Sequence, residues 1–159
     1  MSNQISVLFV CLGNICRSPL AEVVVRDRAA RRGLDNSFKF ASAGTGSWHI
    51  GNGADLRSAE IAGKYGLDLS HHAAQQITAA KVDRWQWFVA MDENNRADLI
   101  RMGVPEARLL LMRQFEPDFE SVPDVPDPYY GGPDGFEDAY QMLCENADRL
   151  LDHLEEHAL

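Results

Sequence analysis

Residues 5–10, ISVLFV, are nearly all apolar and rich in branched side chains, with no alternation, which is the pattern of a short strand buried on both faces. Beyond a polar turn, Leu20, Val24 and Arg28 recur at four-residue spacing and predict a helix, with Ser18 as its N-cap, Pro19 as its first residue and Gly33 at its end. A second strand is predicted over residues 38–43, followed by the polar loop GTGSWHIGNGAD. Ala59, Ala62 and Tyr65 mark a second helix running to Gly66. Residues 87–91, WFVAM, read as a third strand, NNRADLIRM as a short helix closed by Gly103, and residues 108–112 as a fourth strand.

The last stretch, GFEDAYQMLCENADRLLDHLEEH, carries Phe136, Tyr140, Leu143, Ala147, Leu150 and Leu154 at spacings of three and four, one apolar stripe on a long amphipathic helix. Cys144 falls beside that stripe and reads as core. Between the fourth strand and this helix lies EPDFESVPDVPDPYYGGP, with five prolines in eighteen residues. Such density excludes a helix or a central strand and predicts a shaped surface loop. Strands alternating with helices predict an α/β fold of three layers, a four-stranded parallel sheet flanked by helices. With no repeat or linker in view, residues 1–159 are expected to form one domain.

Charge narrows the choice of partner. Lys and Arg total 15 against 24 Asp and Glu, a formal charge of −9, which disfavours nucleic acid or an anionic membrane as the main partner because both need a basic footprint. Three cysteines are too few and too odd in number for a disulfide framework, so the reducing cytoplasm is the expected location. The apolar opening lacks a basic flank and a small-residue cleavage site, and no stretch approaches the roughly 18 apolar residues of a membrane span.

The chemistry concentrates where the first strand meets the first helix, VCLGNICRSP. A helix N-terminus preceded by a tight turn gathers free N–H groups around an anion. Gly13 and Asn14 tolerate the dihedrals of such a turn, and Arg17 adds a planar fork that fits two phosphoryl oxygens. A thiol set in that field, as at Cys11, is favoured as the thiolate. The chain has no GxxxxGK for a nucleotide loop and no GxGxxG, and neither Cys11 nor Cys16 has the partner spacing of a metal site. On spacing alone, Asp118, Asp124, Asp127 and Asp134 are all turn-forming acids of the proline-rich loop. Trp48, between glycines, and Tyr129 and Tyr130, in the proline-rich loop, stand where core packing is unnatural. Trp85 and Trp87 flank the third strand and read as packing residues.

Cys11, five residues, then Arg17-Ser18 is similar to the C-x5-R-[ST] signature of cysteine-based phosphatases. VCLGNICRSP as a whole resembles the low-molecular-weight protein-tyrosine phosphatases. The likeness continues through Ser42-Ala43-Gly44-Thr45, Trp48, Asp55-x-Arg57, Met91-Asp92-x-x-Asn95 and Asp127-Pro128-Tyr129-Tyr130. The resemblance implies a phosphate-binding loop at the C-terminal end of the first strand and hydrolysis of phosphotyrosine, or small aryl phosphates, through a phosphocysteine, with no metal or cofactor.

It further implies Cys11 as nucleophile, Arg17 as phosphate clamp and Asp127 as general acid. Leu12, Gly13, Asn14, Ile15, Cys16 and Ser18 would complete the loop around the phosphate. Asn14 and Ser18 would hold the loop and stabilise the thiolate, with Ser42 and His72 behind them, and Trp48, Tyr129 and Tyr130 would wall the mouth. Ile15 stands where related arginine-phosphate phosphatases often carry threonine, which favours the tyrosine branch. The resemblance, together with the short spacing, also implies a reversible Cys11–Cys16 disulfide on oxidation. Two departures are Gln75, where relatives often have arginine, and Leu56, where many have proline; both are expected on scaffold and rim. Phosphotyrosine proteins or small aryl phosphates are the expected partners, and the protein is expected to be a monomer or to self-associate weakly. An arsenate-type reductase would need a relay of further cysteines, and a non-catalytic phosphate sensor would be expected to lack Cys11 or Asp127.

Overall fold

The computed structural model describes residues 4–117, 119–130, 132 and 134–157, with the side chain of Tyr130 outside what is described. Asp118, considered above among the loop acids, lies outside the described residues. Four parallel strands, β1 (Ile5–Cys11), β2 (Phe38–Gly44), β3 (Trp87–Ala90) and β4 (Leu109–Leu111), stand in the order β2-β1-β3-β4. The helices are α1 (Arg17–Arg31), α2 (Leu56–Lys64), α3 (Glu93–Met102) and α4 (Gly135–Glu156).

Because side chains alternate along a strand, β1 feeds two cores. Val7, Phe9 and Cys11 face a cluster that includes Leu20, Val24 and Val25 of α1 and Leu143, Ala147 and Leu150 of α4. Leu8 and Val10 face Phe88 and Ala90 of β3, Leu99 of α3, and Leu109 and Leu111 of β4. This is the expected three-layer arrangement, and burial of both faces explains the unbroken apolar run in residues 5–10. Trp87 is buried, and Trp85 packs against the second core, as expected of packing residues.

Chain order and strand order diverge at one place. The chain passes from β1 to β2 on one side, then returns to β3 on the other. Ligands of open α/β sheets bind beyond the strand ends at such a reversal. Cys11 ends β1, and Asp92 follows the end of β3 in register beside it, with Val10 opposite Ala90.

Asp92 caps α3 through a reciprocal pair, its carboxylate accepting the Asn95 N–H at 2.7 Å while Asn95 Oδ1 accepts the Asp92 N–H at 3.2 Å. At the far end Gly103 takes φ +103°, a left-handed conformation that closes the helix. The expected cap of α1 is not the one observed. The helix begins at Arg17 with Cys16 at the N-cap, whose side chain makes no capping hydrogen bond. Ser18 is drawn away from capping by stronger partners, since its hydroxyl lies 3.0 Å from Cys11 Sγ and accepts from Asn14 Nδ2 at 2.9 Å. The described residues of the proline-rich segment form the expected loop, which includes a 3-10 turn at Pro128–Tyr130.

Candidate active site

Asn14 has φ +57°, in the left-handed region that a turn this tight requires and that asparagine tolerates. Its amide is fully buried and its orientation is determined by one contact: the Gln75 N–H can only donate, so the atom 2.9 Å away is Asn14 Oδ1. Nδ2 therefore donates to both Ser18 Oγ and Ser42 Oγ, each at 2.9 Å. With that lone pair of Ser18 in use, its single hydroxyl hydrogen is shared between Cys11 Sγ at 3.0 Å and the Ala43 carbonyl at 3.4 Å. The Asn14 backbone N–H also points to Cys11 Sγ, at 3.3 Å. Two donors thus converge on one buried sulfur.

His72 closes the back of this network. Its Nε2 lies 2.6 Å from the Asn14 carbonyl, which can only accept, so Nε2 carries the hydrogen. Gln75 adds a second bond, from Nε2 to the Ser42 carbonyl at 2.8 Å, which ties it into the same scaffold. Its neighbour His71 is exposed and takes no part. The loop rests on the end of β2, where the Thr45 and Gly46 N–H groups donate to the Cys11 and Leu12 carbonyls at 2.9 Å. A Cβ on Gly44 would stand 2.7 Å from the Leu12 carbonyl oxygen, so only glycine admits this approach.

Arg17 is 3% exposed. Its Nη1 donates to Asp92 Oδ2 at 2.6 Å and to the Val125 carbonyl at 2.9 Å, while Nη2 lies 3.7 Å from Asp127 Oδ2. Burial alone would pull the guanidinium down, but Cys11, Asp92 and Asp127 outweigh it and hold it above its ordinary value. It is a fixed cation. Cys16 differs in kind: burial first, then Asp55, Cys11 and Asp127, push its thiol up to about 12, so it stays protonated.

A pocket of about 430 Å³ opens over this base, lined by Cys11, Leu12, Gly13, Ile15, Cys16, Arg17, Trp48, His49, Asp127 and Tyr129. The structure therefore gathers most of the residues singled out in the sequence around one cavity. Asn14 and Ser18 are fully buried and, like Ser42 and His72, lie behind the pocket wall and not in it. Trp48 stands at the mouth, 72% exposed, its ring over Gly46. The side chain of Tyr130 lies outside what is described.

Asp127 and Asp124 have separate surroundings. Asp124 Oδ1 accepts the Glu93 N–H at 3.1 Å and so helps anchor the loop to α3. Asp127 reaches over the pocket and accepts the Tyr129 N–H at 3.0 Å. Asp92, Val125 and His49 were not singled out as site residues in the sequence. The D-x-x-N cap was a visible signal for Asp92 as a helix start, but nothing local says that its second oxygen holds an arginine 75 residues earlier. For the Val125 carbonyl there is no sequence signal.

A thiol with converging donors, a fixed guanidinium and a carboxyl over one cavity form the equipment of phosphoryl transfer through a covalent intermediate. Known proteins agree with that reading. Residues 6–158 match the profile of the low molecular weight phosphotyrosine protein phosphatases. The chain is 40% identical over 149 residues to the low molecular weight protein-tyrosine-phosphatase YfkJ of Bacillus subtilis, covering 93% of this chain and 94% of that one. It is 42% identical over 149 residues to the corresponding phosphatase of Streptomyces coelicolor, covering 91% and 90%. The crystal structure of YfkJ superposes with a TM-score of 0.90 at 37% identity, covering 99% of this chain and 98% of that one.

Proposed function

The chain belongs to the low-molecular-weight protein-tyrosine phosphatase family and is a metal-independent phosphatase acting through a phosphocysteine, and on that premise we propose how its residues divide the work. Cys11 attacks the phosphorus in line, with the Ser18 hydroxyl and Asn14 N–H steadying its sulfur before attack. Arg17 spends Nη1 on Asp92 and Val125, so its Nε–Nη2 edge is the one presented to two phosphoryl oxygens. The Cys16 side chain makes no capping bond to α1, which leaves the first-turn N–H groups for the remaining charge. Asp127 protonates the departing phenolate, then takes a proton from the water that cleaves the phosphocysteine.

The observation that carries this reading is the convergence of Cys11, Arg17 and Asp127 on one pocket from β1, α1 and the proline-rich loop. Leu12, Gly13, Ile15 and Cys16 shape its base, and Trp48 and Tyr129 its walls. Ile15 in that base favours a phosphotyrosine over an arginine-phosphate substrate. The match over residues 6–158 supports a single phosphatase domain. Among the described residues no helix is long and apolar enough to cross a membrane. A cytoplasmic monomer, or a weakly self-associating protein, acting on phosphotyrosine proteins or small aryl phosphates is the setting we propose. The purified protein should release phosphate from phosphotyrosine in the presence of a chelator and do little with phosphoserine. Dependence on an added divalent ion, or equal rates on the two substrates, would refute it.

A further inference from the structure

Arg57 is a surface residue, its side chain 47% exposed, yet all three of its guanidinium nitrogens donate hydrogen bonds. Its Nε and Nη2 donate to the two oxygens of Asp55 at 3.0 Å, in a two-pronged pair. Its Nη1 donates to the Tyr129 carbonyl at 3.2 Å. The guanidinium also lies 5.2 Å above the centre of the Tyr129 ring and 4.6 Å above that of Phe136, at the start of α4. Exposed ion pairs contribute little to stability. The contacts are better understood by what they connect.

Asp55, the N-cap of α2, donates its N–H to the Ile15 carbonyl at 2.8 Å, and Ser58 Oγ donates to the Cys16 carbonyl at 3.1 Å. The first turn of α2 is thus bonded to the loop that carries the nucleophile. On the other side, the residue that Arg57 grips from its carbonyl and its ring is Tyr129, whose N–H holds Asp127 Oδ1. One continuous path therefore runs from the Ile15 carbonyl through Asp55, Arg57 and Tyr129 to the carboxyl of Asp127. The segment before Asp127 has its own anchors: Val125 N–H to the Met91 carbonyl at 2.8 Å, and Arg113 Nη1 to the Asp124 carbonyl at 2.7 Å. Of the anchors named here, Arg57 is the one that follows Asp127.

We propose that Arg57, braced by Asp55, is a positioning residue for the general acid: it sets the distance between Asp127 and the phosphate-binding loop. The proposal rests on the role given above to Asp127. Arg57 is not among the residues that line the pocket. Its removal should spare thiol attack and phosphate binding and impair only the delivery of the proton. Displacement of a reacting group by about 1 Å can cost on the order of a hundredfold.

The test is Arg57→Gln measured as kcat/KM on two aryl phosphates, phosphotyrosine and 2,4-dinitrophenyl phosphate, whose leaving group departs without a proton. We expect a loss of about tenfold or more with phosphotyrosine and less than about twofold with the activated ester. In Asp127→Asn the same substitution should cost nothing further on phosphotyrosine, because the group being positioned is gone. Equal losses on both esters, no loss on either, or a full additional loss in the double variant would overturn the proposal. Failure of the reading of Asp127 itself looks different, since Asp127→Asn would then show no dependence on the leaving group.

Discussion

Asp124 and Asp127 sit three positions apart on one loop, and their contacts assign them opposite duties. Asp124 holds the loop to α3 through the Glu93 N–H, whereas Asp127 faces the pocket beside Arg17. Asp127→Asn is expected to slow turnover of phosphotyrosine by roughly 10² to 10⁴, the usual range for loss of a general acid, with the defect shrinking for esters of more acidic phenols. Asp124→Asn should keep most of the activity, and steady-state rates on both variants check the assignment. A larger loss at Asp124 would reverse it. The two cysteines of the loop differ in the same way. Cys16, with its thiol pushed up to about 12, remains protonated, whereas two donors converge on the Cys11 sulfur. Mild peroxide should therefore oxidise Cys11 first, to the sulfenic acid, which Cys16 can then condense with, losing water to form the disulfide. Wild type should regain activity with added thiol, while Cys16→Ser should be active at first and permanently lost after peroxide. Equal recovery of the two proteins would leave Cys16 with a packing role alone.

At the scale of elements, the join between α2 and α4 has a pH dependence that can be worked out. Glu137 on α4 accepts from Lys64 at 2.7 Å, from Tyr65 at 2.8 Å and from Gln141 at 3.0 Å. These contacts, Lys64 first, then Gln141 and Tyr65, pull its carboxyl down from 4.5 to about 2. A carboxylate depressed by folding contributes stability above its unfolded value, and that contribution fades as pH falls through the folded one. Wild type should therefore exceed Glu137→Gln in urea midpoint at neutral pH, with the gap closing between about pH 4.5 and about pH 2. A gap that stays constant across that range would contradict the contact. The elements themselves were legible from pattern, because β1 is buried on both faces and α4 on one stripe. The start of α1 departs from its sequence pattern for a physical reason: Ser18 is a good cap in isolation, but Cys11 and Asn14 claim its hydroxyl once the loop closes.

Across the whole molecule, legibility followed distance along the chain. Cys11, Gly13, Asn14 and Arg17 share one turn, so their residue types alone suggest an anion site. Asp92, the Val125 carbonyl and Arg57 could not be seen that way. They reach the site because β3 pairs with β1 and because the proline-rich loop folds back over the strand ends, and no local spacing records either event. These parts meet in one event, the transfer of phosphate to the sulfur of Cys11. Wild-type protein mixed with excess phosphotyrosine, in chelator, can be denatured during turnover and its peptides mapped by mass spectrometry. Phosphate should be found on the sulfur of Cys11, with Cys16 and Cys144 unmodified, more abundant in Asp127→Asn when an activated ester loads the enzyme, and absent from an inactive Cys11→Ser. Phosphate on any other side chain, or continued turnover by Cys11→Ser, would contradict it.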